Sequence, residues 1–261
     1  MVNCSYEFDH LNDTFSFRGF LKLLWRKIFG CTSAVIQIEG GETVQVRNQD
    51  WPISGMGPAT RIFEFVGGKH TFKIVGFPGF VGALSGIVPG RYSVTINWAP
   101  PQQVPSFDYA PAFLLREVLQ GCDSYEKACE RLGEETLSTS VFCTVCGLKE
   151  GCVIERTPDD VVVRSLADGF TAQTNHHVAN QFQQNNKMLE QLKRKDFLVA
   201  TTNHRLQDVT ASIQDSGVIN KPWNESALFA VLNRGDVTNY QTTQRIILRP
   251  QTGDIYLETA I

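Results

Sequence analysis

Two Gly-Gly pairs, each lying between runs of alternating apolar and polar residues, place the strongest constraint on how this chain folds. SAVIQI and TVQVRN flank Gly40-Gly41, and RIFEFV and HTFKIV flank Gly67-Gly68. Alternation with a period of two indicates half-buried strands, and a Gly-Gly pair between such runs is typical of a hairpin turn. The pattern therefore predicts antiparallel hairpins in the N-terminal part of the chain.

Helical patterns occur in blocks rather than between single strands. AFLLREVLQG and DSYEKACERL predict a helix pair, and the polar segment from Ala179 to Val209 predicts one or two surface helices. Strands are predicted in SVFCTVCG, GCVIER, DVVVRSL, QTTQRIILRP and DIYLETA. This order argues against a doubly wound parallel sheet and favours helices that cover antiparallel sheets, which is an α+β fold.

Composition and charge exclude several classes of protein. The net charge of −3 over 261 residues gives no field that favours nucleic acid. No apolar run reaches the roughly 18 residues of a spanning helix, and no secretory signal pattern is visible, so a cytoplasmic location is expected. Cys143 and Cys146 form a lone CxxC in a strand-like segment, without a second ligand pair at zinc spacing. No metal or organic cofactor is expected.

The first thirty residues differ from the rest of the chain. Apolar residues recur at helical spacing among basic ones over residues 17–28, and Gly30 follows as a stop residue. This pattern predicts a basic amphipathic helix. Two interpretations stay open, namely peripheral contact with a membrane surface and simple packing on the remaining domain.

Cys31 follows Gly30 and begins the first predicted strand. If the Gly30–Cys31 bond were cut, Cys31 would carry a free α-amine beside its own thiol. An α-amine titrates at about 7.7–8.0, so it could act as the base for that thiol at neutral pH. Folding back at the Gly-Gly turn brings Arg47 and Asp50 towards Cys31. The cationic arginine would favour the thiolate, and the carboxylate would hold the amine.

These residues resemble the choloylglycine hydrolase and acid ceramidase superfamily, whose members are N-terminal nucleophile hydrolases that cut linear amides. The resemblance begins with C-T-S at 31–33 and R-N-x-D at 47–50, and it is closest to the branch of acid ceramidase and N-acylethanolamine acid amidase. FLLREVLQGCDSYEKACERL, VFCTVCGLKEGCVIER, Q-T-N at 173–175 and NYQTTQRIILRPQTG extend it over most of the chain.

The resemblance implies a four-layered αββα sandwich of two antiparallel sheets. It divides the chain into a propeptide, residues 1–30, and a hydrolase domain, residues 31–261, with self-cleavage between Gly30 and Cys31. The residues that it assigns to catalysis are Cys31, Arg47, Asp50, Asn175 and Asn239. The two asparagines are equal candidates for the oxyanion hole. The expected substrate contacts are Asn97, which matches a substrate-loop position of the family, its neighbour Trp98, and His176, which follows Asn175.

The implied function is that of an autoprocessed cysteine amidohydrolase, which cleaves a linear amide of an N-acylated small molecule or lipid through a thioester on Cys31. Two alternatives stay open: an acyltransferase of the isopenicillin N acyltransferase type, and a non-enzymatic membrane-associated protein that binds an acylated ligand. The family's aromatic-Asp pair after T-N is replaced here by His176-His177, which leaves the substrate open. A solvated loop is the simplest interpretation of that histidine pair.

Overall fold

The computed structural model describes residues 30–259, apart from 52–54, 101–107 and 194–195. The basic amphipathic helix predicted over residues 17–28 lies outside the described residues. The strands of the described part, in chain order, are β1 (Gly30–Gln37), β2 (Thr43–Asp50), β3 (Arg61–Phe65), β4 (Phe72–Gly76), β5 (Ser85–Val88), β6 (Tyr92–Trp98), β7 (Val141–Cys146), β8 (Gly151–Arg156), β9 (Val161–Ser165), β10 (Phe170–Gln173), β11 (Thr242–Arg249) and β12 (Asp254–Thr259).

These strands form two antiparallel sheets. The five-stranded sheet has the order β10-β1-β2-β11-β12, and the seven-stranded sheet runs in sequence order from β3 to β9. The predicted strands are confirmed, including β6, which the pattern YSVTIN predicts. β5 and β10 are additions that the sequence patterns did not reveal. The predicted antiparallel arrangement is confirmed as well, since every neighbouring pair in both sheets is antiparallel.

The β1–β2 hairpin has the turn that its sequence predicts. Gly40 and Gly41 both have φ of +76°, a left-handed conformation that glycine adopts without steric cost. The turn sets a register in which Gly30 lies opposite Asp50, and Ser33 lies opposite Arg47. Because side chains alternate between the faces of a sheet, Cys31 and Arg47 share one face.

Helices cover the outer face of each sheet. They are α1 (Met56–Ala59), α2 (Pro111–Gly121), α3 (Tyr125–Glu134), α4 (Lys187–Leu192), α5 (Phe197–Ala200), α6 (Thr202–Ser216) and α7 (Glu225–Val231), with a 3-10 turn at Asn180–Asn186. Buried leucines and valines of α2 and α3 share one apolar cluster with β4–β8. Side chains of α6 and α7 share a second cluster with β1, β2 and β11. The four-layered αββα sandwich is confirmed.

Hydrogen bonds between polar side chains join the two sheets where they face each other. We call this set the interlayer polar cluster; its members are Ser33, Gln45, Ser93, Thr95 and Asn97. Gln45 Nε2 donates to Thr95 Oγ1 at 2.9 Å, and Ser33 Oγ donates to Asn97 Oδ1 at 2.9 Å. All five residues are buried, so these bonds form away from water and depend strongly on geometry.

The segment from Ala179 to Val209 differs from the prediction of surface helices. It contains the 3-10 turn, α4, α5 and the first half of α6, and several of its side chains are buried, including those of Leu198 and Arg205. The helices and much of their exposure agree with the prediction, but a polar sequence did not indicate that one face of the segment is buried. Here polar groups are buried in hydrogen bonds to the five-stranded sheet.

None of the helices in the described part of the chain combines the length and the apolar character needed to cross a membrane.

Candidate active site

The Cys31 thiol lies between the two sheets near the start of β1, and the residue is only 3% exposed. Arg47 Nη2 donates to Cys31 Sγ at 3.0 Å. The hairpin register explains this contact, because the two residues occupy neighbouring positions on one face of paired strands. The predicted approach of Arg47 to the cysteine is therefore found in the structure.

The Arg47 guanidinium is fixed by groups of the opposite sheet. Nη2 also donates to the Ile96 carbonyl at 2.7 Å, while Nη1 donates to the Leu84 carbonyl at 2.9 Å and to Ser85 Oγ. Arg47 is 1% exposed. A buried guanidinium with this many fixed acceptors has little freedom, so its position relative to Cys31 Sγ is well defined.

Asn175 contacts the backbone of the same cysteine. Its Oδ1 accepts from the Cys31 N–H at 3.0 Å, and its Nδ2 donates to the Trp98 carbonyl at 2.8 Å. The Asn175 N–H donates to Thr202 Oγ1 at 2.9 Å, which ties the residue to the start of α6. The side-chain oxygen of Asn175 therefore points at the nitrogen that would become the α-amine after cleavage.

Arg205 is a residue of this site that the sequence analysis missed. Its Nη1 donates to the Cys31 carbonyl at 2.9 Å, and its Nη2 donates to Asn175 Oδ1 at 2.9 Å. The guanidinium is fully buried and lies 3.8 Å from the Asp50 carboxylate. Nothing in the local pattern NHRLQDV separates a buried arginine from a solvated one, so only the fold could reveal it.

Asp50 is on the opposite face of β2 from Arg47, and its link to Cys31 runs through Arg205. Its Oδ1 accepts from Thr242 Oγ1 at 2.7 Å. Burial raises the pKa of the Asp50 carboxyl above its usual value, while Arg205 and the bond from Thr242 act in the opposite direction. The expected contact between Asp50 and the amine of a cut chain stays a prediction.

The side chain of Asn239 bonds to its own loop and to Asp50. Its Nδ2 donates to the Asp236 carbonyl at 3.2 Å and its Oδ1 accepts from the Gln241 N–H at 2.9 Å, so it shapes the loop before β11. Its side chain also lowers the pKa of Asp50. The structure thus brings Asn175 into direct contact with Cys31 and connects Asn239 through Asp50.

The residues predicted to contact substrate occupy three different environments. Asn97 is fully buried, and its Nδ2 donates to the carbonyls of Gln173 and Thr174 at 3.1 and 3.2 Å, which leaves no amide hydrogen for a substrate. Trp98 is half-buried and packs beside α5. Their contact with substrate stays a prediction.

The histidine pair is not a solvated loop. Nδ1 of His176 lies 3.1 Å from the hydroxyls of Thr174 and Thr202, and burial lowers the pKa of His176 to about 4. His177 is 1% exposed, and its Nδ1 lies 3.2 Å from Glu155 Oε2. The interpretation as solvated structure is wrong because the loop folds inwards to meet a buried carboxylate.

Glu155 anchors the loop that carries Asn175. This fully buried carboxylate accepts from Arg164 Nε at 2.6 Å and from the backbone N–H groups of Val178 and Ala179 at 3.2 and 3.0 Å. Burial by itself would raise the pKa of Glu155, but the bonds from His177 and Arg164 hold it below its usual value. Glu155 is therefore an ionised anchor inside the protein.

The paired cysteines of the CxxC lie within the fold. Cys143 and Cys146 lie on β7, as predicted; Cys143 belongs to the apolar cluster under α2 and α3, and Cys146 bonds to the Gly147 carbonyl. Among residues 30–259 as described, no group of three or more His, Cys, Asp or Glu side chains is placed to hold a metal ion.

Comparisons with known proteins find similar sequences and a similar fold. A comparison with models of protein families finds no match. Acid ceramidase from Heterocephalus glaber is 29% identical over 181 residues, which are 58% of this chain and 44% of that protein. N-acylethanolamine-hydrolyzing acid amidase from Caenorhabditis elegans is 30% identical over 146 residues, covering 50% of this chain and 41% of that protein. The chain thus matches less than half the length of these relatives.

Two solved structures share the fold. The Caenorhabditis elegans N-acylethanolamine-hydrolyzing acid amidase ortholog has a TM-score of 0.66 at 23% identity, covering 86% of this chain and 94% of that one. A mutant conjugated bile acid hydrolase from Clostridium perfringens has a TM-score of 0.59 at 15% identity, covering 88% of this chain and 89% of that one. The predicted resemblance is confirmed: the chain is similar in sequence to acid ceramidases and to an N-acylethanolamine-hydrolyzing acid amidase, and it has the N-terminal nucleophile hydrolase fold.

Proposed function

We propose that the protein is an autoprocessed cysteine amidohydrolase that cleaves the linear amide bond of an N-acylated small molecule or lipid. One observation carries this proposal. Cys31 has its sulfur held by Arg47 at 3.0 Å and its backbone nitrogen held by Asn175 at 3.0 Å. An N-terminal nucleophile needs these two atoms, and both have their partners while the Gly30–Cys31 bond is intact.

Maturation begins with attack of Cys31 Sγ on the carbonyl carbon of Gly30. A thioester forms between that carbon and the sulfur, the bond from Gly30 to the Cys31 nitrogen breaks, and the nitrogen takes the thiol proton. Water then hydrolyses the thioester, which gives a carboxylate on Gly30 and a free thiol on Cys31. Residues 1–30 are the propeptide in this proposal, and residues 31–261 are the enzyme.

In the cut chain, the new α-amine of Cys31 is held by Asn175 Oδ1 and serves as the base for the adjacent thiol. The thiolate, favoured by the nearby Arg47 guanidinium, attacks the substrate carbonyl. Asn175 Nδ2 uses one hydrogen on the Trp98 carbonyl, and its second hydrogen is the donor that we assign to the oxyanion. The α-ammonium then protonates the leaving amine, and water hydrolyses the thioester.

Asn175 is preferred to Asn239 for the oxyanion role because it bonds to Cys31 directly. Asp50 and Asn239 act one step away in this scheme, since they reach the cysteine through Arg205. Removal of one oxyanion donor costs on the order of 3 kcal/mol in the activation barrier.

The class of substrate is proposed from the relatives. Their names identify ceramide, N-acylethanolamines and conjugated bile acids as what those proteins hydrolyse, and all three are linear amides of an acyl group with a small amine. An N-acyl amide of this general kind is the proposed substrate here, and no cofactor takes part in the scheme.

The intact mass of the purified chain and its N-terminal sequence test the proposal. We expect a species that begins at Cys31, and release of the acid from at least one member of a panel of N-acyl ethanolamides, N-acyl sphingosines and bile-salt conjugates. The Cys31→Ala variant should stay uncut and inactive. Cys122→Ala, which removes a half-buried cysteine far along the chain, is the matched control and should be cut normally. Normal cleavage before residue 31 in Cys31→Ala would contradict self-processing.

A further inference from the structure

Leu198 lies against Gly30, the residue on the acyl side of the proposed cleavage. A Cβ added at Gly30 would lie 2.7 Å from Leu198 Cδ2, 3.0 Å from Cδ1 and 3.1 Å from Cγ. Contacts as short as these are repulsive, so position 30 has no room for a side chain unless Leu198 moves.

Hydrogen bonds from the backbone of Leu198 to two other residues hold it in place. Its N–H donates to Asp196 Oδ1 at 2.9 Å, and its carbonyl accepts from Arg205 Nη2 at 2.9 Å. Arg205 also donates to the Cys31 carbonyl at 2.9 Å. One buried guanidinium thus sets the spacing between α5 and the start of β1. The Leu198 side chain is 1% exposed, so neighbouring atoms also restrict its rotation.

The chemistry relates Gly30 to the substrate. During self-cleavage the Gly30 carbonyl carbon becomes the thioester carbon on Cys31 Sγ, and the Gly30 Cα is the atom attached to it. During hydrolysis of an amide, the acyl group forms the same thioester with the same sulfur. In this scheme the α-carbon of the acyl group takes the place of the Gly30 Cα and the acyl chain takes the place of the Gly30 nitrogen. A methyl branch in one of its two configurations then points where the added Cβ would point.

We propose that Leu198 excludes acyl groups that carry a methyl branch on the α-carbon in the configuration of an L residue's Cβ. Straight-chain acyl groups avoid Leu198, and (R)-2-methyl acyl groups, whose methyl group takes the place of that Cβ, do not. The inference rests on the proposed function, because it requires a thioester on Cys31. It goes beyond that function by naming a structural class of acyl group and the side chain that selects it.

One test compares dodecanoyl ethanolamide with (R)-2-methyldodecanoyl ethanolamide, the enantiomer whose methyl group faces Leu198, as substrates of the matured enzyme. We expect kcat/KM to be at least about tenfold lower for the branched amide, the usual effect of one misplaced methyl group. Leu198→Ala should reduce that ratio towards one. Equal hydrolysis of the two amides by the unmodified enzyme would overturn the inference and leave the proposed function intact.

A second test uses self-cleavage and needs no added substrate. Gly30→Ala should slow the appearance of the chain that begins at Cys31 by about tenfold or more, and Gly30→Ala with Leu198→Ala should restore it. Leu198→Ile, which keeps the volume, should not restore it. Gly133→Ala is the matched control, because a Cβ there meets nothing within 4 Å.

The outcomes separate the two claims. Cleavage of Gly30→Ala at the unmodified rate would overturn the inference alone, and this result does not depend on whether the Leu198 variants fold. A chain that is never cut and hydrolyses neither amide would contradict the proposed function and the inference with it.

Discussion

Arg205 Nη2 donates to Asn175 Oδ1 at 2.9 Å, and this bond fixes which end of the asparagine amide faces Cys31. Because the oxygen is taken by Arg205 and the Cys31 N–H, the nitrogen must face the Trp98 carbonyl. The orientation required for holding an amine is therefore set before any bond is cut. Arg205 is a positioning residue in this scheme rather than a reacting group.

Replacement of Arg205 by methionine should destabilise the protein and stop its maturation. The change leaves the Asp50 carboxylate buried without its ion-pair partner, a loss of about 3–5 kcal/mol in the free energy of unfolding. Urea denaturation and the rate of appearance of the chain that starts at Cys31 measure the two effects.

Arg156→Met is the matched control for that experiment. Arg156 is also fully buried, but it donates to the carbonyls of Leu132 and Glu135 on the far side of the seven-stranded sheet. We expect it to lower stability and to leave cleavage intact in the folded fraction. Maturation of Arg205→Met at the rate of the unmodified chain would show that Arg205 has no positioning role.

The two asparagines should differ in their effect on the rate. Asn175→Ala removes the partner of the Cys31 nitrogen and the assigned oxyanion donor, so kcat should fall by roughly 10²–10³-fold. Asn239→Ala should cost less, because its side chain bonds to its own loop. Steady-state kinetics of matured variants give the comparison, and a larger loss in Asn239→Ala would reverse the assignment.

Glu155→Gln should loosen the loop that carries Asn175. The change removes the charge that pairs with Arg164 and replaces one acceptor oxygen by a donor, beside two backbone N–H groups that need acceptors. A loss of about 3 kcal/mol in the free energy of unfolding is expected from such a buried group. We expect both the midpoint temperature of thermal unfolding and kcat to be lower in the variant.

Glu130→Gln is the control for Glu155, since Glu130 is an exposed glutamate in the second half of α3. Its stability should change by less than about 0.5 kcal/mol. If Glu155→Gln kept both its stability and its kcat, the carboxylate would not be the anchor that its bonds indicate.

His176 should make the protein sensitive to acid between about pH 6.5 and pH 4. Its pKa is lowered by burial to about 4, so the folded protein holds the neutral ring while the unfolded chain binds a proton. The stabilisation is present above the unfolded pKa and is lost as the pH falls through the folded pKa, up to about 3 kcal/mol.

Urea midpoints at pH 7.5, 5.5 and 4.5 for the unmodified chain and for His176→Asn measure that contribution. We expect the stability of the variant to fall less over this range. The same acid dependence in both proteins would assign the sensitivity to other groups.

The sequence predicted the parts of the site that depend on local pattern. Counting residues around the Gly-Gly turn placed Arg47 beside Cys31, and the structure has that contact. Asn175 could be proposed only from the family resemblance, since 144 residues separate it from Cys31. Arg205 could not be found at all, because its partners Cys31 and Asp50 come from a distant hairpin and its own helix reads as solvated.

The wrong interpretation of the histidine pair, as a solvated loop, also arises from a contact with a residue that is distant in sequence. His177 can be buried because the carboxylate of Glu155, on β8, is the partner of its ring nitrogen Nδ1. A polar residue is buried when its partner is near in space, and sequence periodicity reports only on neighbours along the chain.

The interlayer polar cluster bears on which changes this architecture tolerates. Apolar surfaces can shift past one another and repack. Asn97 instead makes directional hydrogen bonds, to Ser33 on β1 and to the carbonyls of Gln173 and Thr174 at the end of β10. The side-chain amide of Asn97 therefore joins the strand of Cys31 to the strand that leads into Asn175. A substitution at position 97 would therefore shift Cys31 relative to Asn175, although it changes neither residue.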